Sequence, residues 1–112
     1  MGLKEYIFGI EGENKACDFL RIQGFDILER NFHSKFGEID IIAKKNNILH
    51  FIEVKSTQGN YEVAYRLDLK KYNKITKAVE YYFMKHKSQE NFQLDLLCVY
   101  KDDIKLLENI SY

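Results

Sequence analysis

Residues 37–55 read GEIDIIAKKNNILHFIEVK, and this stretch decides the fold. Two β-rich runs flank Asn46-Asn47, and asparagine tolerates the left-handed backbone that a tight hairpin turn requires. The stretch therefore predicts a β-hairpin with strands over 38–43 and 48–55. With a two-residue turn, Lys45 pairs with Ile48, and Asp40 then lies directly opposite Glu53.

This register assigns the hairpin residues to two faces, because side chains alternate along a strand. One face carries Glu38, Asp40, Ile42, Phe51, Glu53 and Lys55. On the other face Ile39 meets Val54 and Ile41 meets Ile52, which predicts an apolar surface for the core. A slip of one residue would exchange the two faces.

Asp40 and Glu53 are the first candidates for chemistry. Directly opposed residues have Cβ atoms about 4.5–5.5 Å apart, so two ionised carboxylates there repel each other or raise one pKa. A divalent cation reverses this repulsion, and Mg²⁺ is held by one or two carboxylates with water and phosphate oxygens. Lys55 would polarise an attacking water and offset charge on a phosphate. The three residues suit metal-dependent phosphodiester hydrolysis.

Glu13 is a fourth candidate, on or beside the apolar stripe of a predicted first helix that ends near Gly24. If that helix packs beside the hairpin, Glu13 reaches the metal or its waters. The alternative is a local salt bridge with a nearby lysine. A similar alternative applies to the other residues, since Glu38 with Lys55, and Glu53 with a neighbouring lysine, would form plain ion pairs.

The remaining chain predicts a small α/β domain. A strand is expected over 25–32 and a second helix over 68–87, with Asp68 as its N-cap. The apolar stripe of this helix comprises Ile75, Ala78, Val79, Tyr82 and Phe83. An extended piece near 61–65 and strands over 92–100 and 104–107 give the order αβββαββ.

Composition favours one globular domain. The chain has 112 residues, no proline, 46% hydrophobic and 30% charged residues, which is enough for one core. A mean hydropathy of −0.41 without a long apolar run excludes a membrane span. The N-terminus shows no signal peptide, so we expect a cytoplasmic protein. Cys17 and Cys98 are predicted to be core residues in a reducing compartment.

Charge is unevenly distributed although the formal net charge is zero. A neutral chain is not typical of a nucleic-acid binder, but basic residues exceed acidic ones over 61–90. The basic cluster comprises Arg66, Lys70, Lys71, Lys74, Lys77, Lys85 and Lys87. It predicts contacts with phosphate backbones, chiefly through its first four members. The alternative is a solvated helix face.

Together these residues resemble a known family. Gly12-Glu13, Arg30-Asn31, GEIDIIA at 37–43 and FIEVK at 51–55 stand in the order and spacing of the bacterial YraN family. The similarity continues through the second helix and the following strand. YraN proteins are of the PD-(D/E)xK endonuclease class and are similar to archaeal Holliday-junction resolvases. The resemblance implies one nuclease-like domain over 1–112 with a restriction-endonuclease-like fold, a mixed central sheet flanked by helices.

The resemblance also implies roles for single residues. Asp40 and Glu53 would bind Mg²⁺ or Mn²⁺, with the Val54 carbonyl as a third ligand. Lys55 would be the catalytic lysine and Glu13 the acid of the first helix. The helix that carries Lys71 would lie beside bound nucleic acid.

Three functional hypotheses remain open. The first is a metal-dependent endonuclease that hydrolyses DNA, with branched or damaged DNA as substrate. A resolvase would act as a homodimer, because it cuts two strands symmetrically. The second is a nucleic-acid-binding module that does not cleave, and the third is a small interaction protein with a structural ion-pair cluster. The intact set of Asp40, Glu53 and Lys55 favours the first over the second.

Overall fold

The computed structural model describes residues 3–57 and 69–110. Its elements are α1 (Leu3–Ile22), β1 (Asp26–Ser34), β2 (Gly37–Lys45), β3 (Ile48–Ser56), α2 (Leu69–His86), β4 (Phe92–Val99) and β5 (Ile104–Leu107). The predicted order αβββαββ is confirmed, with small differences at the ends of elements. Three expectations lie outside the described residues: the N-cap Asp68, the extended piece near 61–65, and Arg66 as a phosphate contact.

The five strands form one mixed sheet in the order β1-β2-β3-β4-β5. All neighbouring pairs are antiparallel except β3 with β4, which run parallel. Parallel neighbours need a crossover connection, and α2 lies in it. The result is a mixed α/β fold with five strands and two helices, which is compatible with a restriction-endonuclease-like domain.

The hairpin turn has the predicted chemistry. Asn46 and Asn47 have φ values of 53° and 64°, as a type I′ turn requires at both central positions. Lys45 pairs with Ile48, and the same register continues to Ile41 opposite Ile52. The predicted register is therefore confirmed for this part of the hairpin.

Two apolar layers cover the sheet. The α2 layer joins the predicted helix stripe to strand residues such as Phe32, Phe51 and Leu96. The α1 layer joins Ala16, Cys17 and Leu20 to strand residues such as Ile41, Ile52 and Leu97. Both cysteines are buried and free, so their prediction as core residues is confirmed.

The described helices include none that combines the length and the apolar character needed to cross a membrane.

Helix α1 approaches the end of β3 closely at Gly12. A β-carbon at this position would lie 2.1 Å from Ser56 Oγ and 3.1 Å from Ser56 Cβ. Glycine permits this approach because it has no β-carbon. The contact holds the helix turn that carries Glu13 against the strand that carries Lys55.

Candidate metal centre

The ladder of the sheet is interrupted at Asp40. The pairing of β1 with β2 skips Asn31 and Asp40, and the pairing of β2 with β3 ends at Ile41. Asn31 has a φ of 53°, a left-handed conformation that is uncommon for residues other than glycine. Beyond Ile41 the Val54 N–H of β3 bonds to a side chain of β2 and not to its backbone: Asp40 Oδ2 accepts this hydrogen bond at 2.8 Å. The Asp40 carboxylate thus lies between β2 and β3.

This interruption changes which face Ile39 occupies. The alternation predicts that Ile39 meets Val54 on the face of Ile41. Instead Ile39 packs with Ile42 and Phe51 under α2, whereas Ile41 and Val54 pack under α1. The predicted contact of Ile39 with Val54 is wrong, because strict alternation holds only while the strand is regular.

Glu53 is the second carboxylate of the site and acts directly on Asp40. Burial, followed by the negative charge of Glu53, raises the pKa of Asp40 from 3.8 to about 7. The hydrogen bond from Val54 and the charge of Lys71 oppose this rise, and the charge of Glu13 adds to it. Burial and the neighbouring carboxylate therefore disfavour the ionised form of Asp40, and a divalent cation would favour that form.

Glu13 reaches this site from α1. Its Oε1 accepts hydrogen bonds from Arg30 Nε at 3.2 Å and from Asn31 Nδ2 at 3.1 Å. Glu13 does form an ion pair, but with Arg30 of β1 and not with the nearby lysine that the alternative supposed. Its negative charge nevertheless raises the pKa of Asp40, as the charge of Glu53 does, but the three carboxylates do not form a cluster of donor atoms within 4.8 Å among the described residues.

The two lysines of the site differ in their contacts. Lys71 Nζ lies 2.9 Å from Glu53 Oε1. Lys55 is partly buried and forms no salt bridge with any residue of ranges 3–57 and 69–110. Glu38 pairs with His33 at 3.0 Å and not with Lys55. Glu53 therefore forms the ion pair with a neighbouring lysine that the alternative predicts, and the predicted pair of Glu38 with Lys55 is not formed.

The basic residues of α2 divide into two groups. Lys70, Lys71 and Lys74 are exposed in its first turns, which lie against the start of β2, since a β-carbon at Gly37 would be 3.3 Å from Lys74 Cβ. These lysines lie at the end of α2 that contacts Glu53. Farther along the helix, lysines lie over aromatic rings: Lys77 over Phe36 and Lys85 over Phe32.

A second cluster of metal-binding atoms lies at His50, Asp95 and Glu108, within 4.8 Å of one another. His50 Nδ1 lies 2.5 Å from Asp95 Oδ2, and Asp95 Oδ1 accepts hydrogen bonds from Gln93 Nε2 and the Asn109 N–H, both at 2.9 Å. These contacts satisfy both oxygens of Asp95 without a cation. Sequence reasoning missed this cluster, although Asp95 is the single charge in an apolar strand.

Comparison with known proteins shows the family. Residues 12–99 match the uncharacterised protein family UPF0102. The chain belongs to the UPF0102 family. UPF0102 proteins of Campylobacter lari and Campylobacter jejuni subsp. doylei are 81% and 62% identical over 112 residues, which is 100% of each chain. One of Campylobacter concisus is 60% identical over 99% of each chain. The resemblance to YraN proteins is thereby confirmed as family membership.

The donor atoms of this UPF0102 chain fit a hard divalent cation. Asp40, Glu53 and the main-chain carbonyl of Val54 would offer oxygen ligands, which Mg²⁺ and Mn²⁺ prefer. Such a cation would offset the burial and the repulsion by Glu53, which together raise the pKa of Asp40.

The raised pKa of Asp40 makes the metal-free UPF0102 protein sensitive to pH. The folded state binds the Asp40 proton more tightly than the unfolded chain, so stability falls as the pH rises from about 3.8 to about 7. Asp40→Asn removes the charge and keeps an oxygen for the Val54 N–H. We expect this variant to be more stable than the wild type, by roughly 3 kcal/mol at pH 8 and by much less at pH 5.

Urea denaturation in EDTA at both pH values measures this difference. Asp18→Asn is the matched control, because Asp18 is an exposed acid whose side chain is 76% accessible. The control should show no such gain. An equal effect of Asp40→Asn at pH 5 and pH 8 would contradict the raised pKa.

Proposed function

We propose that the protein hydrolyses phosphodiester bonds of nucleic acid, first of all DNA, in a reaction that requires Mg²⁺ or Mn²⁺. One observation carries the proposal: Asp40 accepts a hydrogen bond from the Val54 N–H where the pairing of β2 with β3 ends, and the charge of Glu53 raises the pKa of Asp40 there. Lys55 follows two residues later, without a salt bridge to any described residue. Two carboxylates that can bind a metal, with a lysine ammonium nearby, are the groups that metal-assisted hydrolysis uses.

The residues of the chain would divide the work of the reaction. A bound cation supplies an activated water and neutralises phosphate charge, and Asp40, Glu53 and the Val54 carbonyl would hold it. The Lys55 ammonium orients the attacking water and stabilises the charge that develops on the phosphate. Glu13 keeps further negative charge beside Asp40, which favours cation binding.

The first turns of α2 support nucleic acid as the substrate class. Lys70, Lys71 and Lys74 are exposed there, at the end of the helix that reaches Glu53. Ammonium groups of this kind bind phosphates without reading sequence, and such binding weakens with salt. Branched DNA is the first substrate to test, and symmetric cleavage of it would require two copies of the chain.

The ion-pair hypothesis remains the second candidate because one contact favours it. Lys71 compensates Glu53 at 2.9 Å, and an ion pair of this kind needs no metal. It does not account for Asp40, whose pKa rises in spite of Lys71. Metal binding separates this hypothesis from the first.

Metal-induced stabilisation is the first test. A ligand that binds only the folded state raises its stability, by about 2.7 kcal/mol at a concentration about 100 times the Kd. We expect Mg²⁺ or Mn²⁺ to raise the Tm of the wild type and to have no effect on Glu53→Gln. Thermal denaturation with and without EDTA measures this.

Glu108→Gln is the matched control, because it makes the same substitution in the cluster of His50 and Asp95. This variant should keep the metal-induced rise in Tm. If it loses the rise while Glu53→Gln keeps it, the cation binds at the other cluster and the proposed site is wrong. Cleavage of labelled branched, single-stranded and duplex DNA then tests the reaction itself.

A further inference from the structure

Lys71 makes a contact that a simple phosphate-binding lysine would not make. Its Nζ lies 2.9 Å from Glu53 Oε1 in a pair whose side chains are 48% and 9% accessible, respectively. Lys70 and Lys74 are also exposed on α2, but neither forms a salt bridge within the described residues. Among these three lysines, Lys71 is therefore the one directed at the carboxylates.

The Lys71 ammonium supplies positive charge where a metal would supply it. It lies against one of the two carboxylates that would hold the metal, and its charge acts on Asp40 as well. Two cations close together in a poorly hydrated site repel each other. A divalent cation between Asp40 and Glu53 therefore competes with Lys71 for Glu53.

The Lys71 side chain is suited to change partners. Nearly half of it is accessible to solvent, and lysine has a flexible four-carbon stem with a compact charge at its end. Lys71 also lies among the exposed lysines of the first turns of α2. Once displaced from Glu53, its ammonium would have solvent or a phosphate as the next partner.

We propose that Lys71 is an exchangeable counter-ion, which neutralises Glu53 in the metal-free protein and moves to a phosphate of the nucleic acid when the metal binds. This inference rests on the proposed function and adds a coupling to it. Metal binding releases Lys71 for the phosphate, and a bound phosphate draws Lys71 away from the metal ligand. By thermodynamic reciprocity, each ligand then strengthens binding of the other.

The test measures binding and not activity. Lys71→Met keeps the length of the apolar stem and removes the charge. By isothermal titration calorimetry without DNA, we expect the variant to bind Mn²⁺ about tenfold more tightly than the wild type. Lys74→Met is the matched control, a lysine one turn along α2 that forms no salt bridge with residues 3–57 or 69–110, and it should leave the Mn²⁺ affinity unchanged.

Coupling is measured by fluorescence anisotropy with labelled single-stranded DNA, in EDTA and in Mn²⁺. All proteins carry Lys55→Met, so that cleavage is slow compared with the binding measurement. In the Lys55→Met parent, Mn²⁺ should strengthen DNA binding, and adding Lys71→Met should remove most of this gain. Adding Lys74→Met should weaken DNA binding by the same factor with and without Mn²⁺.

The outcomes separate this proposal from the proposed function. If the wild type binds Mn²⁺ and Lys71→Met binds it equally or less tightly, Lys71 is not an exchangeable counter-ion. Equal coupling in Lys71→Met and its parent overturns the proposal as well. If neither the wild type nor Lys71→Met binds Mn²⁺, the metal site itself fails, and both proposals fall together.

Discussion

Lys55→Met is expected to slow metal-dependent DNA cleavage by about 10²–10³-fold while the metal-induced rise in Tm persists. The ammonium acts on charge that develops only during the reaction, so its loss affects the rate far more than metal binding. Methionine preserves the apolar stem of this partly buried side chain. Single-turnover cleavage at saturating protein measures the chemical step.

Lys105→Met is the matched control for this experiment. Cys98 pairs with Lys55 on β3 and with Lys105 on β5, so both lysines lie in one row across the sheet. Lys105 is exposed, and its ammonium lies 5.7 Å from the centre of the Tyr100 ring. Its substitution should leave the rate nearly unchanged. Equal losses in the two variants would assign Lys55 a general electrostatic role, and an active Lys55→Met would rule it out as the catalytic lysine.

Asp95→Ala is expected to lower the free energy of unfolding by about 3–5 kcal/mol, the largest effect on stability that we predict. The Asp95 side chain is fully buried and accepts hydrogen bonds from Gln93 and from the Asn109 N–H, besides its contact with His50. Alanine would leave the buried His50 without its partner and would remove the acceptor of the part-buried Gln93 and Asn109 donors, and an unsatisfied buried group costs its desolvation. Urea denaturation measures the change.

Glu108→Ala serves as the comparison for Asp95→Ala. Glu108 belongs to the same cluster, but it is exposed and accepts one longer hydrogen bond, from Gln93 Nε2 at 3.3 Å. Its loss should cost less than about 1 kcal/mol, as expected for a surface contact. A cost below about 1 kcal/mol for Asp95→Ala too would show that water replaces the lost acceptor.

The hairpin and the second helix were predictable because their signals are local. The alternation over 37–55 and the asparagine turn determine the register, and the apolar stripe of α2 determines its buried face. The same register, extended along both strands, is enough to predict that Asp40 and Glu53 lie close together. Local patterns of this kind extend over a few residues and do not depend on the rest of the fold.

Contacts between distant segments were not predictable in this way. At the break, Asn31 has a left-handed backbone, and its side chain donates a hydrogen bond to Glu13 of α1. The pair of His50 and Asp95 joins residues 45 positions apart, and neither belongs to a local pattern. Such contacts follow from how the layers pack, which a periodicity does not encode.

The interrupted ladder at Asp40 also lets the two layers of the domain influence each other. Glu13 belongs to α1 and Lys71 to α2, which cover opposite faces of the sheet, yet both charges act on the same carboxyl group. A partner that drew Arg30 away from Glu13 on one side would change the potential that Lys71 experiences on the other. Because the dielectric constant of a protein interior is low, charges on the two faces act on this buried carboxyl group with little screening, and a change of charge on one face of the sheet alters its protonation from the other.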